Sequence, residues 1–158
     1  MATLPLGQPT QYPDQYDPSL LYPIARAVNR EKLGLKEGQR LPFVGIDIWN
    51  AFELSWLNKK GKPQIALAEF QIPADSPNMI ESKSFKLYLN SLNNTRFEDE
   101  HEVKERLIAD LSAVAGSKIT SRINPTEAIA KQGIQEMSGV LMDRLDIEVD
   151  PNLPADPS

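Results

Sequence analysis

The sequence contains no cysteine and one histidine, His101, among its 158 residues. Without cysteine, this chain has no disulfide, no zinc–thiolate site and no thiol nucleophile of its own. A single histidine also excludes metal sites that are built from several imidazoles. We therefore predict no metal centre in this chain.

Long apolar runs and targeting signals are missing as well. No stretch approaches the roughly 20 apolar residues of a membrane-spanning helix, and no basic segment followed by an apolar run opens the chain as in a signal peptide. The net charge of −5 argues against a broad surface for nucleic acids or anionic membranes. These observations favour a cytoplasmic protein that binds neither membranes nor nucleic acids directly.

Three common signatures of catalytic and nucleotide sites are absent too. The chain has no GxGxxG, no GxxxxGK[S/T] and no GxSxG, so a Rossmann site, a P-loop and a nucleophile elbow are not supported. What is present is ordinary for a soluble globular protein, with 41% apolar and 25% charged residues. The length suggests about one domain.

Proline is distributed unevenly along the chain. The first 44 residues hold six of the thirteen prolines and three of the four tyrosines, a density that opposes regular helices and strands. We interpret residues 1–44 as a Pro/Tyr-rich arm that packs against the body. Residues 45–150 are predicted to form one folded module, and residues 151–158 have the composition of a linker.

Hydrophobic periodicity divides the module into strands and helices. A turn signal separates the first two strands, and the apolar residues of the second change face, which indicates a bulge or burial on both faces. The predicted strands are 47–57, 64–72, 118–123 and 145–150, and the predicted helices are 82–92, 100–115 and a short 126–137. Leaving the short helix aside, the ββααββ order predicts an α+β fold, an antiparallel four-stranded sheet with two helices on one face.

The segment Glu81–Tyr88 combines an acid, two hydroxyls and two lysines at the start of an amphipathic helix. The apolar residues of this helix form a single stripe, so Lys83 and Lys86 point away from the core. This pattern predicts a phosphate-binding surface beside a carboxylate that can accept N–H bonds from a heterocycle. The alternative is an ordinary capped helix with solvated lysines.

The start of this helix needs a cap, and Ser82 or Ser84 is predicted to provide it. Free N–H groups at a helix start favour anions, which is consistent with a phosphate site. Arg26 and Arg30 in the arm form a weaker candidate for contact with an anion or a partner.

The Glu81–Tyr88 segment resembles the signature of the NADPH-dependent 7-cyano-7-deazaguanine reductases, the nitrile reductases of queuosine biosynthesis, a tRNA modification. The resemblance extends over nearly the whole chain and is clearest up to about residue 115. The chain resembles the N-terminal module of the long, two-module form of the family. The matching segments are Tyr16–Leu21, Asn29–Arg30, Leu33–Leu35, Leu41–Phe43, Asp47–Asn50, Glu53–Asn58, Ser76–Asn78, Ile80–Ser91 and Asn94–Phe97.

The resemblance implies the tunnelling fold (T-fold), in which such modules assemble and sites form where they meet. It implies NADPH as the cofactor and 7-cyano-7-deazaguanine as the substrate, reduced to 7-aminomethyl-7-deazaguanine. Carried over to this chain, Glu81 and Ser82 would bind the substrate, and Lys83, Ser84 and Lys86 would bind the cofactor. A homo-oligomer is expected.

The sequence departs from the family in one respect. The family's reaction uses a cysteine that attacks the nitrile and an aspartate that assists proton transfer, and in the long form both lie in the C-terminal module. Because this chain has no cysteine, we predict no catalytic residue in it. We expect it to be a truncated domain that is folded but inactive alone.

Two other functions remain open at this point. The first is a metal-free, aldolase-like pterin enzyme of the same fold, with Lys83 or Lys86 as the base. The second is a non-catalytic module of the tunnelling fold that serves binding or assembly. Consumption of a pterin without NADPH would favour the first, and stable oligomers that bind neither NADPH nor deazaguanines would favour the second.

Overall fold

Two long antiparallel strands dominate the part of the chain that the structure describes. This computed structural model describes residues 13–36, 38–126, 138–148, 150, 152 and 153. The strands are β1 (Pro23–Ala25), β2 (Ile46–Asn58), β3 (Pro63–Pro73), β4 (Asn78–Ile80), β5 (Arg96–Phe97) and β6 (Thr120–Pro125). The α-helices are α1 (Ala27–Arg30), α2 (Ser82–Ser91) and α3 (Glu100–Ala115), and the 3-10 helices are Pro18–Leu20 and Glu31–Leu33.

The predicted hairpin is confirmed, and β2 and β3 form it. The turn closes through the N–H of Gly61, which donates to the carbonyl of Asn58 over 2.8 Å. Gly61 has a φ of 83°, in the left-handed region that glycine adopts at low cost. β6 joins β3 antiparallel and β5 joins β2 in parallel, so the strand order is β5-β2-β3-β6.

A bulge in β2 shifts by one residue the alternation of side chains that face the core. The pairing register shifts between Ala51 and Leu54, which places one extra residue in β2. Trp49 before the bulge and Leu54 after it both contact the core, whereas Phe52 is 73% exposed on the other face. The bulge or two-sided burial predicted for residues 64–72 is wrong, because β3 buries every second residue from Ala66 to Ile72.

Helices α2 and α3 cover one face of the sheet, and the core lies between these two layers. The largest fully buried apolar side chains come from both layers: Tyr88, Phe70, Leu54, Ile72, Leu92, Leu107 and Leu111. Helix α3 has its predicted bounds, because the Asp99 carboxylate accepts the N–H of Glu102 over 2.9 Å at its start and Gly116 ends it with a φ of 68°. The α+β class is confirmed.

The predicted strand 145–150 is wrong where the structure describes it. Residues 145–148 are exposed and have no strand conformation, and the two-residue β5 is the fourth strand of the sheet instead. Alternating apolar residues permit a strand, but a strand also needs a neighbour to pair with. The predicted ββααββ order is not reproduced either, because β4 and β5 interrupt it. The predicted helix 126–137 falls almost wholly outside the described residues.

The described part of the arm packs against the body, as the sequence predicts. β1 pairs antiparallel with β4 and forms a small second sheet that periodicity did not reveal. Leu21 is buried in the core. This pairing brings the arm beside Ile80, the residue before Glu81. The boundaries of the arm, the module and the linker stay predictions.

Candidate functional site

Glu81 caps helix α2 with its side chain. Its Oε1 accepts the N–H of Lys83 over 2.9 Å and its Oε2 accepts the N–H of Ser84 over 2.7 Å. The residue is 4% exposed. The predicted serine cap is therefore wrong, because the carboxylate of the preceding residue reaches these N–H groups and its charge suits the helix N-terminus. The N–H groups of Lys83 and Ser84 are satisfied within the chain instead of being offered to an external anion.

Ser84 ties this cap to the arm. Its hydroxyl donates to the carbonyl of Glu81 over 2.7 Å and accepts the N–H of Tyr22 over 3.0 Å. In return, the N–H of Glu81 donates to the carbonyl of Tyr22 over 2.9 Å. Ser84 is 1% exposed, so its hydroxyl faces the arm instead of solvent. A contact between Ser84 and a cofactor stays a prediction.

Ser82, Lys83 and Lys86 lie together on the outer side of α2. Ser82 and Lys83 precede Lys86 by four and three residues, a spacing that puts side chains on the same face of a helix. Ser82 and Lys86 are exposed, and Lys83 is partly buried. The helix therefore presents two cations and a hydroxyl next to the buried acid.

The chemistry of this arrangement is recognition of an anion and of N–H donors. A carboxylate has about four lone-pair positions. The helix N–H groups occupy two of those of Glu81, and the Ser82 hydroxyl donates to Oε1 over a longer distance of 3.5 Å. The remaining positions can accept bonds from a flat heterocycle. Lysine is a compact charge that binds phosphate, so Lys83 and Lys86 suit a phosphorylated ligand.

A cluster around Asp110 fixes the arm and α2 to α3, and the sequence analysis missed it. The hydroxyls of Tyr16 and Tyr88 each donate to the same oxygen, Asp110 Oδ2, over 2.6 Å. The guanidinium of Arg106 lies 5.6 Å from the centre of the Tyr16 ring. Burial and the bond to Asp110 raise the pKa of Tyr16 to about 12 and also raise the pKa of Tyr88. The one signal in the sequence was Tyr88 on the apolar stripe of α2, because a tyrosine hydroxyl that is buried needs a hydrogen-bond partner.

The two arm arginines have different environments. Arg26 is 8% exposed, its Nε donates to Ser76 Oγ over 3.1 Å, and its guanidinium pairs with Asp47. Arg26 therefore links the arm to the sheet and is turned away from external ligands. Arg30 is partly exposed and donates to the carbonyl of Ala74.

Other kinds of site receive no support from the described residues. Among them, no three His, Asp or Glu side chains are grouped closely enough to hold a metal ion. No helix in this part of the chain has the length and apolar character needed to cross a membrane. The start of α2 is therefore the candidate site.

Comparison with known proteins supports the family resemblance that the sequence shows. A family model described as "Nitrile reductase, 7-cyano-7-deazaguanine-reductase N-term" matches residues 12–123. The chain is 54% identical over 151 residues to a protein of Cupriavidus necator named NADPH-dependent 7-cyano-7-deazaguanine reductase, covering 96% of this chain and 54% of the relative. Proteins of the same name from Bordetella parapertussis and Ralstonia nicotianae are 50% and 51% identical, over 98% and 92% of this chain and 56% and 53% of their own length. The chain thus spans about half the length of the curated relatives that it matches.

Proposed function

Because this chain belongs to the 7-cyano-7-deazaguanine reductase family of nitrile reductases, matching its N-terminal part, we propose that it forms the cofactor-side half of such an enzyme. The reaction would convert 7-cyano-7-deazaguanine to 7-aminomethyl-7-deazaguanine in queuosine biosynthesis, with NADPH as the reductant. The observation that carries this proposal is the start of α2, where Lys83 and Lys86 flank the buried carboxylate of Glu81. The fold proposed for the complete module is the tunnelling fold.

The proposed substrate contact is made by Glu81 and Ser82. The Glu81 carboxylate is held by two helix N–H groups, so its position is fixed before any ligand binds. Its remaining lone pairs suit the N–H donors of the deazaguanine ring, and bonds to a charged acceptor are stronger than neutral ones. The exposed Ser82 hydroxyl donates to Glu81 Oε1 over 3.5 Å and can accept a bond from the ligand.

The proposed cofactor contact is made by Lys83 and Lys86, which would bind phosphate oxygens. Bound NADPH would supply the hydride for the reduction. Ser84 belongs to the proposed cofactor site as well, and its hydrogen bonds to Glu81 and Tyr22 support a role in holding the segment in place.

The nucleophile has to come from elsewhere, since this sequence contains no cysteine. We propose that a second module supplies the cysteine that attacks the nitrile and the aspartate that assists proton transfer. Glu81 would hold the heterocycle while that module acts on the nitrile. This chain alone is then expected to bind ligands without turning them over.

Calorimetry of NADPH binding to this chain tests the cofactor half of the proposal. Lys83→Gln and Lys86→Gln should each weaken binding on the order of 10-fold, as expected for the loss of one bond to a charged group. The control is Lys60→Gln, which removes an exposed lysine from the β2–β3 turn and should leave binding unchanged.

Turnover tests the rest of the proposal. The remaining half of the Cupriavidus necator relative is added to this chain, and NADPH oxidation is followed with 7-cyano-7-deazaguanine present. Activity should need both parts. Failure of the chain to bind NADPH, together with no turnover by the combined halves, would contradict the proposed function.

Assembly with further copies or with the second module is proposed from the uncovered face of the sheet. Ile48, Phe52 and Ile65 are 54%, 73% and 59% exposed on the side away from the helices. Apolar side chains grouped on one surface are typical of an interaction site.

A further inference from the structure

A second basic site lies in a cavity between the arm and the loop that enters the sheet. The cavity has a volume of about 690 Å³, and its lining includes Arg30, Lys36, Arg40, Phe43 and Asp75. This volume is within the range of pockets that hold small ligands. None of these residues belongs to the start of α2.

Local turns bring the three cations to one place. Helix α1 ends at Arg30, and the carbonyl of Arg30 accepts the N–H of Leu35 over 3.0 Å. The next turn closes when the N–H of Gln39 donates to the carbonyl of Lys36 over 3.3 Å, helped by Gly38 with its φ of 77°. Lys36 and Arg40, four residues apart, therefore flank the same turn and line the same cavity.

The charge of this cavity is opposite to that of the chain. Among the described lining residues, three cations accompany one acid, Asp75, in a protein of net charge −5. Lys36 and Arg40 are exposed and make no ion pair with another described residue. Their charges are thus available to an anionic ligand.

Arg30 and Phe43 add a flat, fixed surface. The Arg30 guanidinium lies 5.9 Å from the centre of the Phe43 ring and donates to the carbonyl of Ala74, so it is oriented without a ligand. A planar guanidinium and an aromatic ring are the groups on which a nucleobase stacks. The cavity therefore combines a stacking surface with cations that no described carboxylate neutralises.

We propose that this cavity binds the adenosine 2′-phosphate end of NADPH, an inference that rests on the proposed function. Strand β4 begins at Asn78, which lines the cavity, and ends one residue before Glu81. At about 3.3 Å per residue, Asn78 and Glu81 are about 10 Å apart along the strand, a distance that an extended dinucleotide spans. Lys83 and Lys86 would then hold the phosphates near the nicotinamide end, and Lys36 and Arg40 the 2′-phosphate that distinguishes NADPH from NADH.

Two ligands that differ only in the 2′-phosphate test this assignment directly. Calorimetry with this chain compares adenosine 2′,5′-bisphosphate with 5′-AMP, and the bisphosphate should bind on the order of 10-fold more tightly. The double variant Lys36→Gln/Arg40→Gln should abolish this advantage and leave the affinity for 5′-AMP unchanged. The matched control, Lys60→Gln/Lys62→Gln, removes the same charge from the β2–β3 turn and should preserve the advantage.

The outcomes separate this inference from the proposed function. Equal affinity for the two nucleotides in a chain that still binds NADPH overturns the inference alone. Absence of binding to NADPH and to both nucleotides overturns the inference, and together with no turnover by the combined halves it overturns the proposed function as well. If inorganic phosphate binds as tightly as the bisphosphate, the cavity is a site for the free anion and the nucleotide assignment is wrong. Both variants alter exposed side chains, and an unchanged urea midpoint shows that they remain folded.

Discussion

At the scale of single residues, Glu81 has two uses for one carboxylate. It satisfies two N–H groups of α2, and its remaining lone pairs are the proposed contact to the substrate. The helix contact fixes the position of the acid, which lowers the ordering cost of binding. The side chain therefore links the stability of the helix to the geometry of the site.

Replacement of this acid should destabilise the protein measurably. Glu81→Ala removes both cap bonds and is expected to lower the free energy of unfolding by about 1–2 kcal/mol, measured by urea denaturation. Glu81→Gln keeps one acceptor and should show a smaller loss. Glu53→Ala, at an exposed position on β2, is the control and should change stability by less than about 0.5 kcal/mol. Equal effects at both positions would show that the cap contributes nothing.

The two tyrosines that share Asp110 predict a loss of stability at alkaline pH. The pKa of Tyr16 is raised from 10.0 to about 12, and the pKa of Tyr88 is raised as well. The fold therefore favours the neutral hydroxyl, and this stabilisation is complete below pH 10 and disappears as the pH rises through 12. Urea denaturation between these limits should show the decline, and tyrosinate absorbance should show delayed ionisation.

The matched variant for this prediction is Tyr16→Phe. It removes the hydroxyl with the pKa of about 12 and should make the decline between pH 10 and 12 shallower, while the contribution of Tyr88 remains. Tyr88→Phe, which removes the other hydroxyl that donates to Asp110, should make the decline shallower as well. The same pH dependence in all three proteins would contradict the assignment to Asp110.

At the scale of secondary structure, the end of α3 is held by close contact with the loop before β4. Gly116 has a φ of 68°, and a Cβ added there would lie 2.6 Å from Cγ of Pro77. The helix end therefore needs glycine both for its backbone angle and for space. This contact places the loop that leads through β4 to Glu81.

Two glycine variants separate these requirements. Gly34→Ala, at a φ of 77° with open space around it, should cost about 1 kcal/mol for the backbone alone. Gly116→Ala should cost about 1 kcal/mol or more beyond that, because the methyl group overlaps Pro77. The free energy of unfolding measured in urea gives both values. An equal loss at the two positions would mean that the Pro77 contact relaxes without cost.

Helices and long strands were predictable from local pattern, and short strands were not. The bounds of α3 follow from its stripe and from Asp99 and Gly116 at its ends, all local signals. β1 and β5 have three and two residues, too few to show a period. The strand predicted at 145–150 failed for the converse reason, because alternation alone does not provide a pairing partner.

At the scale of the whole molecule, the sheet has one covered and one uncovered face. The helices cover the first, and Ile48, Phe52 and Ile65 are exposed on the second. β6 and β5 are the outer strands of the four-stranded sheet, and unpaired strand edges favour association. We expect the chain to self-associate in solution.

A charge placed on the uncovered face should oppose this association. Phe52→Asp puts a carboxylate at a position that is 73% exposed, so its cost to the monomer is small, whereas burial in an interface would be costly. Sedimentation velocity should show a shift towards monomer. Val28→Asp, at a position that is 58% exposed on α1, is the control and should not change the distribution. A wild-type chain that stays monomeric at high concentration would refute the expectation.

The α+β class, the hairpin, the two main helices and the absence of a cysteine nucleophile can be predicted from the sequence, because they depend on composition and on local periodicity. The three-dimensional packing is needed to see that Glu81 caps α2 under the arm, that Tyr16 and Tyr88 share Asp110, and that Lys36 and Arg40 line one cavity. The bonds of Tyr16 to Asp110 and of Tyr22 to Ser84 join residues 94 and 62 positions apart. No local pattern encodes such pairs, since they form only when the arm, the helices and the sheet pack together.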